Sequence, residues 1–414
     1  MTELLTSLFF LNILLFVIIV SYKYKSILMF TFMLSIILSY SGRGIAIKYN
    51  IINSRYMGTE EGFILSNLYV CAWTLVVGVL YVLVRGILKS NANFEVIDNK
   101  KKQIVICLKT RMLLLLFFII NLFGVIHILQ TIGFEYLWLS RMSALNGIGY
   151  WAIMSTIYLY IVIFFLCAFI ITKTRINWFI ALHLVPATLF TMIYGSRASF
   201  IEPLIILIIS FSLSRKISKK LLIVYIGFVC FVVVFFPILT GRDSFQGVAS
   251  IFASTPEFDV LWSLVDAKYD DKIFTYLSPI YWMFGDSFKD GNSIITQMFF
   301  LRVWESGAQL RPGAIGESIL NLGWLGGLLI AGVAGSILGF IDNLISKKRR
   351  ILDILIYGMC IVLLMKWVRG DEFRVFLNIA IFILSLSLIF FTNSFFRNLI
   401  ITYSKGLTFI MRRR

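Results

Sequence analysis

The sequence predicts an all-α, polytopic integral membrane protein, and three observations indicate this fold class. The 414 residues are 59% hydrophobic and only 14% charged, whereas a soluble domain carries about 25% charged residues. Apolar runs of about 20 residues, the length at which a helix crosses a hydrocarbon core, recur along the chain. Basic residues gather in alternate turns between these runs. We therefore expect one polytopic membrane domain over residues 1–414, with about eleven transmembrane helices and a range of roughly ten to twelve.

The expected spans follow the apolar runs in chain order. The first run has neither a basic leader nor a small-residue cleavage site, so we expect it to be retained as a helix whose N-terminus lies outside. The runs are residues 4–21, 27–41, 63–84, 112–130, 151–172, 176–194, 199–213, 221–240, 314–345, 352–368 and 375–393.

The formal net charge of +17 follows from topology. Cytoplasmic loops of membrane proteins carry an excess of Lys and Arg, so the basic turns are expected to lie inside and no nucleic-acid partner is expected. Of the 21 acidic residues, only Glu95, Asp98, Asp342 and Asp353 fall on that side. The basic turns hold Lys23, Lys25, Lys89, Lys100, Lys101, Lys102, Lys109, Arg111, Lys173, Arg175, Arg215, Lys216, Lys219, Lys220, Lys347, Lys348, Arg349, Arg350, Arg412, Arg413 and Arg414.

Residues 241–313 form the one large outer segment between expected spans. Aromatic residues such as Trp262, Tyr281 and Trp304 alternate there with acidic residues. This mixture is typical of short amphipathic helices lying at a membrane surface. A long segment in a compact protein also favours a functional role. We expect a non-cytoplasmic loop with interfacial helices.

Cysteine and histidine usage indicates neither a disulfide framework nor a metal site. None of the five cysteines falls in the large outer segment, and we expect them to be scattered thiols in or near the spans. His127 and His183 lie within expected spans, where packed or hydrogen-bonded imidazoles are the commoner outcome. No metal-ligand spacing is present, so we expect no metal and no cofactor.

Glycines concentrate in the span at 314–345. Gly323 and Gly327 are four residues apart, as are Gly335 and Gly339. This spacing lets two helix backbones approach closely. We expect close helix packing at Gly332, Gly335 and Gly339, whereas the earlier glycines could admit backbone or lipid.

Arginine recurs at the outer ends of the expected helices. An arginine at the bilayer centre costs at least about 2.5 kcal/mol, but the cost is smaller at the outer boundary, where any single arginine could be only an interfacial anchor. Arginine in four loops on one face favours a shared functional role. The planar guanidinium suits bidentate contacts with phosphate, and at this depth the natural phosphate belongs to a lipid diphosphate. The clusters are Gly195-Ser196-Arg197-Ala198, Arg242 with Asp243, the stretch from Arg311 to Glu317, and Lys366, Arg369, Asp371, Glu372 and Arg374.

Three of these motifs together resemble the bacterial oligosaccharide repeat-unit polymerases, which include the O-antigen and capsule polymerases. They are the Gly-Ser-Arg-Ala turn at 195–198, the Arg-Pro-Gly-Ala-Ile-Gly-Glu-Ser-Ile-Leu-Asn-Leu-Gly-Trp-Leu-Gly-Gly stretch at 311–327, and Arg-Gly-Asp at 369–371. The resemblance covers the C-terminal half, and the stretch at 311–327 is its most specific part.

The resemblance implies a metal-independent glycosyltransferase with a C-type membrane fold. Such enzymes move a growing glycan from one undecaprenyl diphosphate to the non-reducing end of another lipid-linked repeat. The expected partners are therefore an undecaprenyl-diphosphate-linked donor and acceptor, membrane lipid, and a chain-length regulator protein. The expected location is the bacterial cytoplasmic (inner) membrane, with the active site facing the periplasm or exterior.

Residue roles follow from combining the resemblance with the arginine clusters. Arg197, Arg311 and Arg369 are expected to bind the donor diphosphate and neutralise charge as its bond breaks, and Arg242 and Arg374 are further candidates. An acceptor hydroxyl needs a general base. The base candidates are Glu317 and Asp371, followed by Asp259 and Asp286, although Glu317 could instead pair with Arg311. Aromatic residues of the outer segment would contact the sugars, although any single ring could instead anchor the segment at the membrane interface.

Other functions remain open at this level. An O-antigen ligase-like enzyme would use a similar fold and donor, but that family usually depends on a histidine in its large outer loop, and residues 241–313 contain none. A flippase or exporter would need a cavity that opens to both sides, usually with an internal repeat. A scaffolding membrane protein would tolerate loss of the arginines.

Overall fold

The structure, a computed structural model, describes seventeen stretches of the chain, and all statements below concern these residues. They are 16, 19–20, 23, 26–88, 106–132, 149–172, 174–193, 205–207, 209–210, 256–269, 272–273, 275–277, 291–305, 310–347, 351–370, 372–394 and 396–398. Within them the chain forms helices and turns and contains no strand. The predicted all-helical class is confirmed.

Six of the described helices are long and apolar enough to cross a membrane. They cover Ile27–Lys48, Glu60–Ile87, Leu108–Thr131, Tyr150–Ile171, Gly313–Asn343 and Val375–Thr392. The total of about eleven spans stays a prediction. The run at 221–240, and most of the runs at 4–21 and 199–213, lie outside the described residues.

The described chain divides into two compact units, each built from separate stretches of sequence. Unit 1 comprises the described residues within 1–94, 245–347 and 363–377, and unit 2 those within 95–244, 348–362 and 378–414. The helices are α1 Ile27–Ile36, α2 Arg43–Lys48, α3 Glu60–Ile87, α4 Leu108–Ile132, α5 Gly149–Ile171, α6 Trp178–Ile193, α7 Glu257–Asp266, α8 Gly291–Phe299, α9 Leu301–Glu305, α10 Gly313–Lys347, α11 Ile351–Arg369 and α12 Glu372–Thr392, with a π-helix at Ile37–Gly42 and a 3₁₀ turn at Thr275–Leu277.

Unit 1 is organised around the contact between α3 and α10, which run in the same direction. A Cβ added to Gly335 would lie 2.9 Å from the carbonyl carbon of Val77, and one added to Gly339 would lie 2.9 Å from the carbonyl oxygen of Tyr81. The absence of side chains at these two glycines therefore lets α10 approach the backbone of α3. The predicted close packing is confirmed at both positions. At Gly332 the same atom would make only ordinary contacts, at 3.7 Å or more.

Gly323 interrupts α10 with a conformation that only glycine adopts readily. Its φ of 71° and ψ of −175° lie outside the helical region, in a region essentially restricted to glycine. The interruption is held by Tyr69, whose hydroxyl donates to the carbonyl of Trp324 at 2.7 Å. The two rings also meet edge to face, with centroids 5.0 Å apart. The kink is thus a fixed feature of this helix.

A buried polar group joins α3 and α10 at the end where both helices finish. Arg85 and Tyr81 both bond to the carboxylate of Asp342, which is 5% exposed. An ionised carboxylate in this position needs such partners because burial removes its hydration. The bonds from Arg85 and Tyr81 to Asp342 therefore fix the register of the two helices at this end.

Helix α7 lies inside unit 1 and packs chiefly against α3. Residues 256–264 are buried without a break. This differs from the expectation of helices lying on the membrane surface, because the acidic residues of α7 bond to other parts of the protein. Trp262, for example, donates its indole N–H to the carbonyl of Thr59 at 3.1 Å and is not a free surface for sugars.

The last residue of α7 holds Thr59, the N-cap residue of α3. The carboxylate of Asp266 accepts hydrogen bonds from the Thr59 amide, at 2.9 Å, and from the Thr59 hydroxyl. Desolvation by itself would raise the pKa of Asp266, but the bonds from Thr59 and Tyr56 outweigh it and hold the pKa below its usual value. A carboxylate at this site also complements the positive end of the α3 dipole.

Lys268 ends α7 in a left-handed backbone conformation, which glycine usually adopts at the end of a helix. The amide of Lys268 donates to the carbonyl of Val265 and that of Tyr269 to the carbonyl of Leu264, both at 3.0 Å, which is the Schellman pattern. The φ of Lys268 is 48°. A side chain in this conformation costs roughly 1 kcal/mol or more relative to glycine.

Unit 2 contains α5 as its most buried helix. The segment of α5 that is apolar enough to span a membrane is 89% buried. His183 of α6 bonds to the hydroxyl of Tyr158 of α5 and packs against Phe179, at a ring distance of 4.6 Å. The expectation of a packed, hydrogen-bonded histidine is confirmed for His183. Cys71, Cys107, Cys167 and Cys360 are free thiols, as expected, and Cys230 lies outside the described residues.

The α3–α10 contact predicts a difference between two neighbouring glycines. Gly335→Ala should destabilise the protein by about 1–3 kcal/mol, because the new methyl group would overlap the backbone of Val77 and force the helices apart. Gly332→Ala should be tolerated, since it meets only ordinary contacts. Thermal unfolding of the two purified variants in detergent, compared with the wild type, measures this difference. An equal fall in the unfolding temperature of both variants would contradict this prediction.

Candidate functional site

Tyr40 holds the beginning of α10 in place. It lies in the π-helical turn, a local widening that often marks functional positions. Its hydroxyl donates to the carbonyl of Pro312 at 3.1 Å and accepts from the amide of Ile315 at 3.2 Å. One of the amides left without a partner at a helix start is thereby satisfied. The first turn of α10 is thus fixed against α1 and its π-helical extension.

Gly313 begins α10 in a position too crowded for a side chain. Its φ is 62°, and an added Cβ would lie 2.5 Å from the carbonyl oxygen of Val368 and 2.9 Å from Cγ of Glu257. The carboxyl side chain of Glu257 and the end of α11 therefore both meet the start of α10. This contact brings together, at the level of the backbone, the turns that carry Arg311 and Arg369.

A fully buried ion pair joins α2 to α7 beside this point. The guanidinium of Arg43 bonds to both carboxylate oxygens of Asp259, at 2.6 and 3.2 Å, and the two side chains are 1% and 0% exposed. The amide of Arg55 donates to Asp259 at 2.9 Å, and the hydroxyl of Ser54 lies 3.3 Å from the same carboxylate. Such extra bonds are what a buried pair needs to offset the loss of hydration.

Arg55 extends this charged group to the protein surface. Arg55 is exposed, but partial desolvation lowers the pKa of its guanidinium, and the nearby positive charge of Arg43 lowers it further. Asp259 and Glu257 oppose this shift. Two arginines and two carboxylates therefore lie within electrostatic reach of one another at this end of unit 1.

Glu317 is a buried carboxylate with one oxygen that lacks a hydrogen-bond partner. The residue is 1% exposed, and its Oε1 accepts from the hydroxyl of Thr275 at 3.1 Å. Its Oε2 is buried and has no hydrogen bond to any described residue. Leaving a buried polar atom unpaired is costly, and in a native protein it calls for an explanation such as a catalytic role or a bound water or ion.

Asn321 fixes the geometry around Glu317. Its amide nitrogen donates to the Thr275 hydroxyl at 2.7 Å and to the Glu317 carbonyl at 2.8 Å. Its amide oxygen accepts from the Tyr276 amide at 2.9 Å, which sets the orientation of the side chain. Because the Thr275 oxygen accepts from Asn321, its own hydrogen points to Glu317. The carboxylate is held by a directed chain of hydrogen bonds.

The structure describes only some of the predicted site residues. Arg311 is partly buried directly before α10. Arg369 ends α11 and Arg374 lies in the first turn of α12, but their side chains are outside the described part. Arg197, Arg242, Asp286 and Asp371 also lie outside it. Within the described ranges, no group of three or more His, Cys, Asp or Glu side chains is arranged to hold a metal ion.

Sequence reasoning missed Tyr40, Arg43, Arg55 and Glu257. The signal for Arg43 was present, because Ser-Gly-Arg-Gly at 41–44 places a charge at the end of an apolar run. Its partner Asp259 lies 216 residues away, so no local pattern connects them. Asp259, a secondary candidate for the base, is instead held on both oxygens by the ion pair.

Comparison with known proteins gives no match: no family model, curated protein or solved structure is significantly similar to this chain.

The buried ion pair makes a prediction about Asp259. Asp259→Ala should destabilise the protein by about 3–5 kcal/mol, because it leaves the charge of Arg43 buried without a partner. The double variant Arg43→Met with Asp259→Leu should recover much of this loss, since apolar residues need no hydration. Thermal unfolding in detergent measures both.

The exposed pair of Lys48 and Glu60, 3.3 Å apart, provides the control. Glu60→Ala should change stability by only about 0–1 kcal/mol, since water screens such pairs. If Asp259→Ala were as mild as Glu60→Ala, the carboxylate of Asp259 would be free for another role.

Proposed function

We propose that this protein is a polysaccharide polymerase of the bacterial cytoplasmic membrane. It transfers a glycan from an undecaprenyl diphosphate to the non-reducing end of another lipid-linked oligosaccharide repeat, on the face directed to the periplasm or exterior. The single observation that carries the proposal is the half-satisfied carboxylate of Glu317. It lies one helical turn beyond Gly313, where the turns bearing Arg311 and Arg369 meet.

The chemistry requires one base and a set of cations. Glu317 takes the proton from the acceptor hydroxyl, the acceptor oxygen bonds to the anomeric carbon of the donor, and the bond from that carbon to the diphosphate breaks. Arg311 and Arg369, with Arg197, Arg242 and Arg374 as further candidates, bind the leaving diphosphate. Asp371 is the alternative base. Fixed cations where charge develops are among the largest contributions to catalysis.

The features of Glu317 suit the role of base. Thr275 and Asn321 hold one oxygen in place, and the other has no hydrogen bond to a described residue. A base must come within about 2.6–3.2 Å of the proton donor, so the acceptor hydroxyl has to reach this buried oxygen.

Deleting the gene in its host tests the function at the level of the cell. The expected result is loss of long surface glycan chains with a single repeat unit still displayed, because ligation and flipping would continue. Gel analysis of the surface glycan measures this. Accumulation of lipid-linked repeats on the inner leaflet would indicate a flippase instead. Complete loss of attached glycan, with long lipid-linked chains still formed, would indicate a ligase.

Complementation of that strain tests the residues. Glu317→Gln should abolish long chains, because the amide keeps the shape and the Thr275 bond but cannot take a proton. A general base contributes about 10²–10⁴ in rate. Arg311→Ala should reduce the rate by about 10²–10³. Protein levels should be compared by immunoblot, since equal levels exclude a folding defect.

Exposed residues of the same segment provide matched controls. Glu305→Gln and Arg302→Ala lie on α9, where both residues are exposed, and should restore long chains fully. Wild-type chain lengths in Glu317→Gln would remove Glu317 from the mechanism and leave Asp371 as the base.

A further inference from the structure

A groove on the surface of unit 1 lies apart from the candidate site. It has a volume of about 650 Å³ and is bordered by α3, the end of α7 and the kink of α10. Its apolar lining includes Leu65, Leu68, Ala72 and Val265. Small-molecule sites commonly measure about 300–1,000 Å³ and are mostly apolar. The groove therefore has the size and the lining of a ligand site.

The groove continues into a face of α3 that carries exposed apolar side chains. Leu65, Leu68, Leu75, Val79 and Leu83 are 40–52% exposed, and their spacing of mostly three or four residues puts them on one side of the helix. An apolar surface of this kind on a membrane-type helix is solvated by acyl chains. The groove is thus open to lipid.

Among the described residues that line the groove, Lys268 is the one cation, and its backbone conformation is costly. Lys268 borders the apolar lining with its φ at 48°, where glycine would be the residue of least strain. An unfavourable conformation that persists at a surface points to a function for the side chain. The carboxylate of the neighbouring Asp266 bonds to Thr59 and Tyr56.

Aromatic residues complete the polar end of the groove. Tyr69 and Trp324 line it and are fixed there by the hydrogen bond between the Tyr69 hydroxyl and the Trp324 carbonyl. Tyr and Trp favour the depth at which headgroups meet acyl chains. The groove therefore changes from apolar at Ala72 to amphipathic at Tyr69, Trp324 and Lys268.

We propose that this groove binds one anionic glycerophospholipid, with the phosphate at the ammonium of Lys268 and an acyl chain along Leu65, Leu68 and Ala72. A single lysine, which acts as a point charge, suits a phosphodiester that carries one negative charge. A diphosphate would call for several cations or a guanidinium fork. The occupant is therefore a membrane phospholipid and not a polyprenyl diphosphate, and this assignment does not depend on the proposed function.

Native mass spectrometry of the purified full-length protein tests the proposal. Phosphatidylglycerol and phosphatidylcholine with identical acyl chains are added separately, and the lipid that stays bound is measured. The wild type should retain phosphatidylglycerol in preference to phosphatidylcholine. Lys268→Gly should weaken phosphatidylglycerol binding about fivefold, the effect of one lysine near an anionic lipid, whereas Lys268→Arg should keep it.

Lys268→Gly separates binding from folding. Glycine fits the left-handed position, so this variant should unfold at the same temperature as the wild type or higher while it loses the lipid. Lys272→Ala is the matched control, since Lys272 is exposed in the same segment and does not line the groove. Equal loss of lipid in Lys268→Gly and Lys272→Ala would overturn the proposal, as would equal binding of the two phospholipids by the wild type.

Two further measurements examine the acyl chain and the identity of the lipid. Ala72→Phe fills the apolar part of the groove and should weaken binding of both phospholipids, and unchanged binding would place the acyl chain elsewhere.

Undecaprenyl diphosphate, added to the phospholipid-bound protein, should leave phosphatidylglycerol in place. Displacement that depends on Lys268 would assign the groove to the polyprenyl carrier and overturn the proposal.

Discussion

Gly335 and Gly339 of α10 lie against the backbone of α3 at Val77 and Tyr81. Two long helices at this separation resist sliding past each other, because α10 has no side chain at these two positions and lies directly on the backbone of α3. Tyr69 fixes the register near the kink, and Asp342 fixes it at the far end. The first turns of α10, which carry Glu317, are thereby placed relative to α3 and to α7, which packs on α3.

A second constraint follows from the membrane, which solvates neither charges nor unpaired backbone groups. Unit 1 meets it by pairing: Arg43 with Asp259 near the start of α10, and Arg85 with Asp342 near its end. The hydroxyl of Tyr40 likewise serves two backbone groups at the start of α10. Polar groups held in this way are preorganised, so a site built among them needs little ordering when a substrate binds.

The sequence allowed the helices to be predicted because hydropathy and glycine spacing are local signals. The runs at 63–84 and 314–345 became α3 and α10 with small shifts at their ends, and Gly335 and Gly339 pack as their spacing indicates. The ion pair of Arg43 and Asp259 could not be predicted, because its two halves are far apart in the chain. The burial of α7 could not be predicted for the same reason, because Asp259 and Asp266 bond to residues about 200 positions earlier in the chain.

Asp259 and Glu317, two of the buried carboxylates near the start of α10, differ in one respect that bears on their roles. Asp259 receives donors on both oxygens from Arg43 and Arg55, so accepting a proton would break an ion pair inside the protein. Glu317 receives one donor, on Oε1, from Thr275, and proton uptake at Oε2 would break no bond to a described residue. A base has to change its charge during each turnover, which a saturated carboxylate resists and a half-satisfied one permits. For the proposed reaction, the hydrogen-bond arrangement therefore favours Glu317 over Asp259 as the general base.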